Sequence, residues 1–297
     1  MFPKIFSIGD FFLPTYGALV ALAFLVALWV TTKIAKEKGL NPDTVTNLAV
    51  ACAFAGIIGA KLTMYLFDWR FYSTHLDEIL AFSTLQAAGV YQGGLILAII
   101  VAYWYMKKHG LPFLATADLF TPGLAIAHAI GRIGCFAAGC CYGERCDLPW
   151  AVTFTDPDAA RRVGVPLGLP LHPTQLYEAM GNLVIFAILW KKYRSGYRPG
   201  ELLGYYLILY SVLRFVVEFF RHHEQALPFG LPLSLTQWIS VALLGLGIFV
   251  LMNKPKQRHG NPLSQRERQP ERQRLFVMPE EFHAEAEYGV HNQIITK

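Results

Sequence analysis

The sequence predicts an all-α polytopic membrane protein of seven transmembrane helices, with the N-terminus outside and the C-terminus cytoplasmic. Three observations carry that prediction. Hydrophobic residues make up 54% of the 297 positions and charged residues 16%, against roughly 25% charged in an ordinary soluble domain. Apolar runs recur at the length a bilayer demands, about 20 residues. Lysine and arginine collect in alternate connections.

The runs are Leu13–Thr32, Leu48–Leu66, Gly89–Met106, Asp118–Phe136, Leu176–Lys191, Leu202–Phe220 and Leu233–Met252. The first is long for a signal segment and lacks a small-x-small cleavage site, so it reads as a retained helix. The fifth is short, and its helix is expected to begin near His172. The first loop carries Lys33, Lys36 and Lys38, the third Lys107 and Lys108, and the fifth Lys191, Lys192, Arg194 and Arg198. The second loop is acid-balanced, with Asp68, Arg70, Asp77 and Glu78. Odd-numbered loops therefore face the cytoplasm, and an odd number of spans puts the termini on opposite sides.

Residues 1–252 form the membrane domain. Residues 253–297 are polar, first basic (Arg266, Arg268, Arg272, Arg274) and then acidic (Glu280, Glu281, Glu285, Glu287). Their composition reads as a disordered cytoplasmic tail. The basic stretch is open to a second reading, as a segment lying on anionic lipid.

Ionisable side chains within spans mark function, because each costs about 2.5–3.5 kcal/mol at mid-bilayer on insertion scales. The fourth span places His128, Arg132 and Cys135 on one stripe, and the sixth places Tyr210, Arg214 and Glu218 on one face. The fifth opens with His172, Pro173, Gln175, Tyr177 and Glu178; the third enters through Gln92, Gly93 and Gly94. Tyr16 ends the first span and Lys61 sits in the second. All are expected at one level, near the outer face. Local readings compete for some. Arg221 reads as an arginine snorkelling to the interface. His172 either caps the fifth helix, with Pro173 in its first turn, or joins the site. Lys61 either snorkels or joins it, and His128 is equally a packing residue. Arg132 and Arg214, with one nearby carboxylate evident, leave positive charge seeking an anion, and guanidinium forks suit phosphate. Gly131, Gly134, Gly139 and Gly143 frame the end of the fourth span, where small residues let backbone approach a ligand.

Four of the five cysteines, Cys135, Cys140, Cys141 and Cys146, lie in one segment. Paired CxxC spacing is absent, so no metal is expected. A disulfide from Cys146 to Cys140 or Cys141 suits an oxidising compartment.

These motifs resemble the bacterial prolipoprotein diacylglyceryl transferases over roughly residues 5–252. The resemblance lies in GRIGCFAAGCCYGE (131–144), HPTQLYE (172–178), YSVLRFVVEFFR (210–221), Tyr16-Gly17, and the GGL after Gln92. It implies a multi-pass enzyme of the bacterial inner membrane with an outward-facing active site and no cofactor. The reaction implied moves the diacylglyceryl group of phosphatidylglycerol to the lipobox cysteine thiol of a prolipoprotein and releases glycerol phosphate. Partners are then phosphatidylglycerol, the lipobox segment and membrane lipids, with no nucleic acid. The resemblance places Arg132 and Arg214 on the lipid phosphate. It makes Tyr16, Tyr210, Glu218 and Gln92 catalytic positions, and assigns Gly131, Gly134, Gly139, Gly143, His172 and Gln175 to phosphatidylglycerol binding. Three positions depart from the family pattern. Gln92 stands where a histidine base is proposed, Cys135 where asparagine is usual, and Cys140 where glutamate is usual. A paralogue with another acceptor, or an anionic-lipid transporter, is the alternative; a transporter calls for inverted repeats, and none is evident.

Overall fold

A computed structural model describes residues 4–8, 11–79, 84, 89–221 and 233–253. The polar segment beyond Asn253, read above as a tail, lies outside the described residues. The described chain is dominated by seven long helices: α1 (Thr15–Glu37), α2 (Pro42–Phe67), α3 (Tyr91–Lys108), α4 (Phe113–Ala138), α5 (Thr174–Ser195), α6 (Glu201–Glu218) and α7 (Leu235–Met252). By length and composition α1, α2, α4 and α7 are long and apolar enough to cross a membrane. Hydropathy is diluted in α5 by Gln175, Glu178 and Asn182, and in α6 by Ser211, Arg214 and Glu218. At 1.5 Å per residue, the 18 residues of α3 reach about 27 Å.

Local chemistry sets the ends. Asn41 caps α2, accepting from the Asp43 amide at 2.8 Å, with Pro42 at the first helical position. Ser234 and Gln237 form a reciprocal capping box at the start of α7. The all-α expectation is amended by two small antiparallel sheets: β1 (Lys4–Ile8) with β2 (Phe11–Pro14), and β3 (Val152–Thr153) with β4 (Pro170–Leu171). The first helix consequently starts at Thr15 rather than Leu13. Pro14, extended at φ −69° and ψ 132°, closes the hairpin instead of opening the helix. Hairpin pairing gives the preceding backbone the partners it would otherwise lack.

α4 is the organising helix. It packs along α1 on one side and along α5 and α6 on the other, while α6 packs on α7 and α2 pairs with α3. A core of Val30, Ile34, Val45, Leu119, Ala125, Ile185, Leu189, Leu202 and Tyr206 fills the end opposite the N-terminal hairpin. The outward faces stay apolar, with Phe54, Ile57, Ile58 and Leu62 on α2 and Ile96, Ile99, Ile100 and Trp104 on α3 exposed, as suits helices solvated by lipid.

One buried charge ties two helices together. Asp118 of α4 is fully buried, and its carboxylate accepts the amides of Gly200 (2.6 Å) and Leu203 (2.9 Å) at the start of α6. It thereby satisfies donors that a helix N-terminus leaves open and opposes the positive end of the dipole. Burial and the Asp118 carboxylate push the phenol of Tyr197, in the preceding loop, up to about 12. Replacing Asp118 with alanine is expected to cost about 2–3 kcal/mol, the worth of hydrogen bonds to a charged acceptor. Thermal unfolding in detergent micelles would read this as a lower midpoint.

A small outer layer sits over the other end. Phe154, Ala159, Val165 and Leu171 pack together within the α4–α5 connection. The N-terminal hairpin joins it through Lys4 to Asp158 at 2.6 Å, and Arg162 lies 4.1 Å from the centre of the Phe12 ring. Lys4 and Arg161 hold the Asp158 carboxyl below the usual carboxylate range. The segment before α1 and the α4–α5 connection therefore lie at the same end of the helices, as alternating spans require.

Candidate functional site

Beneath this layer the C-terminal ends of α4 and α6 meet the N-terminal ends of α5 and α7. Glu178, in the second turn of α5, is buried, and its Oε2 forms an ion pair with Nε of Arg132 on α4 at 2.7 Å. Its Oε1 accepts from Nη1 of Arg214 on α6 at 3.0 Å. Nη2 of Arg214 reaches Glu218 Oε2, one helical turn further on, at 2.8 Å. Glu218 in turn accepts from the Ser234 hydroxyl, the cap of α7, at 3.0 Å. Arg221 points the same way, with Nη1 3.9 Å from Glu178 Oε1.

Two expectations change here. The two arginines were read with one nearby carboxylate; among the described residues the cluster holds two, because Glu178 comes from a different helix and no single-helix spacing displays it. Arg221 was read as snorkelling; it turns inward to Glu178. Isolated bridge pairing of Gly143 with Arg221, and the Glu144 amide bonded to the Phe220 carbonyl at 2.9 Å, fix the backbone from which it does so.

Among the described residues three guanidinium groups thus face two carboxylates, an excess of one positive charge. Arg214 is occupied on both terminal nitrogens. Arg132 pairs through Nε alone, and among the described residues its two terminal nitrogens make no hydrogen bond or ion pair. They are the natural donors for an added anion.

The other expected residues divide. Tyr16 joins the site, because α1 lies against α4 here: a Cβ added at Gly134 would meet Tyr16 Cδ2 at 3.3 Å. Tyr210 stacks on His128 (centroids 5.0 Å, 13°), and its hydroxyl has no hydrogen bond among the described residues. His128 takes the packing role, sharing a 2.8 Å hydrogen bond with the Tyr206 hydroxyl. His172 is not a cap, since Pro173 holds that position without a side-chain bond and Thr174 begins the helix. The His172 ring shares a hydrogen bond with the Tyr177 hydroxyl (3.1 Å), which Trp150 also donates to (2.8 Å). Gln175 is buried and gives its amide to the Cys140 carbonyl at 2.7 Å, while its Oε1 has no partner among the described residues.

Gln92 and Lys61 belong to the α2–α3 pair. Gln92 is exposed on the first turn of α3 and makes no hydrogen bond among the described residues. The α2–α3 pair carries it, and the glycines beside it serve close contact between those helices at Gly59 and Thr63. Lys61 donates to the Thr84 carbonyl.

Of the four glycines, Gly131 has open space beside it, room that a ligand could use. Gly139 takes φ +82° to turn the chain out of α4. At Gly143 a Cβ would press on His172 Cβ at 2.6 Å and Thr174 Cγ2 at 2.8 Å, so the loop can lie against α5 only with glycine there.

That turn gathers sulfur. Cys141 follows at φ +62°, a left-handed conformation uncommon outside glycine and asparagine, and the Thr174 hydroxyl donates to its carbonyl at 2.7 Å. The sulfurs of Cys135, Cys140 and Cys141 lie within 4.8 Å of one another. All five cysteines are free; of the arrangements left open above, the turn directs Cys140 and Cys141 back to Cys135. Neighbouring thiol hydrogen bonds, and the charges of Arg221 and Arg132, hold the Cys141 thiol below its usual range. The absence of CxxC pairs, used above against a metal, loses its force, because the turn does what that spacing usually does.

The chain resembles known proteins over the region that builds this site. The family model described as prolipoprotein diacylglyceryl transferase matches residues 3–253. A phosphatidylglycerol–prolipoprotein diacylglyceryl transferase of Clostridium tetani is 35% identical over 251 residues, covering 84% of this chain and 96% of its own. The protein of that name from Finegoldia magna is 33% identical over 254 residues, covering 85% and 95%. That of Thermosynechococcus vestitus is 33% identical over 262 residues, covering 86% and 93%.

Proposed function

We propose, because this chain belongs to the prolipoprotein diacylglyceryl transferase family, that it transfers the diacylglyceryl group of phosphatidylglycerol to the lipobox cysteine thiol of a prolipoprotein. Glycerol phosphate is the second product. All seven long helices span the bacterial inner membrane, with the N-terminus outside, the C-terminus cytoplasmic and the arginine cluster near the outer face, where lipid headgroups and translocated precursors meet. The positive-inside bias of the loops supports that orientation.

The observation that carries the reading is the excess guanidinium charge, with the terminal nitrogens of Arg132 unengaged. In this reaction a thiol displaces a phosphate ester at carbon. The nucleophile belongs to the substrate, so the protein must hold two partners in line and stabilise charge growing on the leaving phosphate. Arg132 supplies a free fork for the phosphate, and Arg214, fixed by two carboxylates, supplies charge behind it. Gly131 leaves space alongside. The unpartnered Oε1 of Gln175 would accept a hydroxyl of the glycerol headgroup, an acceptor otherwise costly to bury. Tyr16 and the free hydroxyl of Tyr210 are donors on either side of Arg132. His172 closes the rim with Tyr177 and Trp150.

The test is direct. The full-length protein in detergent, given phosphatidylglycerol and a lipobox peptide, is expected to release glycerol phosphate and to add a diacylglyceryl mass to the peptide. No product under conditions where the Clostridium tetani relative is active would overturn the assignment.

A further inference from the structure

We propose that Cys135, Cys140 and Cys141 form a zinc(II) site whose open fourth position takes the thiol of the incoming lipobox cysteine as a thiolate. The inference rests on the transferase reading above and supplies the step it lacks. A free thiol is only a few per cent ionised near neutrality, and Gln92, an amide, cannot take its proton.

The geometry supports the site in three ways. Zinc–sulfur bonds of about 2.3 Å put the sulfurs of a tetrahedral site on the order of 3.8 Å apart, and these three already lie within 4.8 Å. Their placement is built from outside the segment. Gln175 and Thr174 anchor the carbonyls of Cys140 and Cys141 at 2.7 Å each, and Cys141 is held at φ +62°. The charge also balances. Three thiolates on zinc carry one net negative charge, and Arg132 lies one helical turn before Cys135 on α4. Among the described residues the group has three members. Three protein ligands are the pattern of zinc sites that do chemistry; four are the pattern of sites that only brace a fold.

The step balances without a redox partner. The peptide thiol binds zinc and loses its proton to water, since a coordinating thiol is deprotonated. The sulfur electron pair then forms the S–C bond at the glyceryl carbon carrying the phosphate. The C–O bond breaks, its electron pair stays on the phosphate oxygen, and glycerol phosphate leaves against Arg132. Zinc remains divalent, and the thioether, a weaker ligand, departs.

Metal analysis of the full-length protein purified without added metal or reductant, together with cobalt(II) substitution, tests the site apart from turnover. One zinc per chain is expected, lost in Cys135→Ser, Cys140→Ser and Cys141→Ser and kept in Cys52→Ser, whose sulfur sits between α2 and α3. The cobalt form of the unmutated protein should show thiolate-to-metal charge transfer. A lipobox peptide should change that spectrum, and its Cys→Ser version should not. Diacylglyceryl transfer by protein free of zinc, a disulfide among the three cysteines, or copper in place of zinc with no response to peptide would each overturn the inference and leave the transferase reading standing. Zinc at the thiols with no transfer under any condition would overturn that reading, and the catalytic part of this one with it.

Discussion

Arg132→Ala is expected to lower kcat for diacylglyceryl transfer by about 10²–10³-fold, the usual effect of removing one preorganised donor from a developing oxyanion, while leaving the fold nearly as stable. Arg214→Ala should abolish transfer and also unfold more easily, by about 3–5 kcal/mol. The difference follows from which carboxylates each arginine serves. Removing Arg132 frees one oxygen of Glu178, whose other oxygen keeps Arg214. Removing Arg214 takes from Glu218 the guanidinium 2.8 Å from its Oε2, and takes one of two close partners from Glu178. A buried carboxylate without its cation is among the costliest single defects. Arg132→Lys separates charge from shape: an ammonium keeps the charge but loses the bond from Nε to Glu178 and the planar fork. Transfer assays paired with thermal unfolding read all three variants. Full activity in Arg132→Ala would show that this arginine does not hold the phosphate.

The division between what was legible in the sequence and what was not follows from chain connectivity. Features that repeat along one element were visible: the apolar runs, the His128–Arg132–Cys135 stripe, and the Tyr210–Arg214–Glu218 face. Features made by two elements meeting were not. Glu178 sits in a motif read for its histidine and glutamine, and its role as the shared acceptor of two arginines requires α5 to pass between α4 and α6. Arg221 looked like an interface residue until the pairing of Gly143 with its backbone turned it inward. The three sulfurs are separated by a four-residue gap and then by none, a spacing with no metal signature; only the left-handed turn at Gly139 and Cys141 brings them together. Beside Gln92 the paired glycines have a packing reason: α3 is partnered by α2, and close contact between those helices requires them. The hairpin before α1 was missed because the apolar run continues through it; Pro14, not hydropathy, marks the boundary.

Glu178→Gln is expected to be the most damaging conservative change in the protein, and the damage should be partly reversible by an anion. With the carboxylate neutralised, Arg132, Arg214 and Arg221 face, among the described residues, one carboxylate, Glu218, so the local excess there rises from one positive charge to two. The glutamine amide also presents donors where the arginines need acceptors. Breaking these pairs from one side should cost about 3–5 kcal/mol, read as a lower unfolding midpoint. Transfer should fall as well, because Arg132 loses the bond that orients its fork. The informative readout is ligand-dependent. Glycerol phosphate bound to the folded state stabilises it by RT ln(1 + [L]/Kd), and in Glu178→Gln that anion also replaces missing negative charge. The variant should therefore gain more in unfolding midpoint from glycerol phosphate than the unmutated protein does, and the gain should shrink as salt is added. An equal gain in both proteins would mean that the anion binds away from Glu178. The phosphate would then have to be sought outside the arginine cluster, whatever the transfer assay showed.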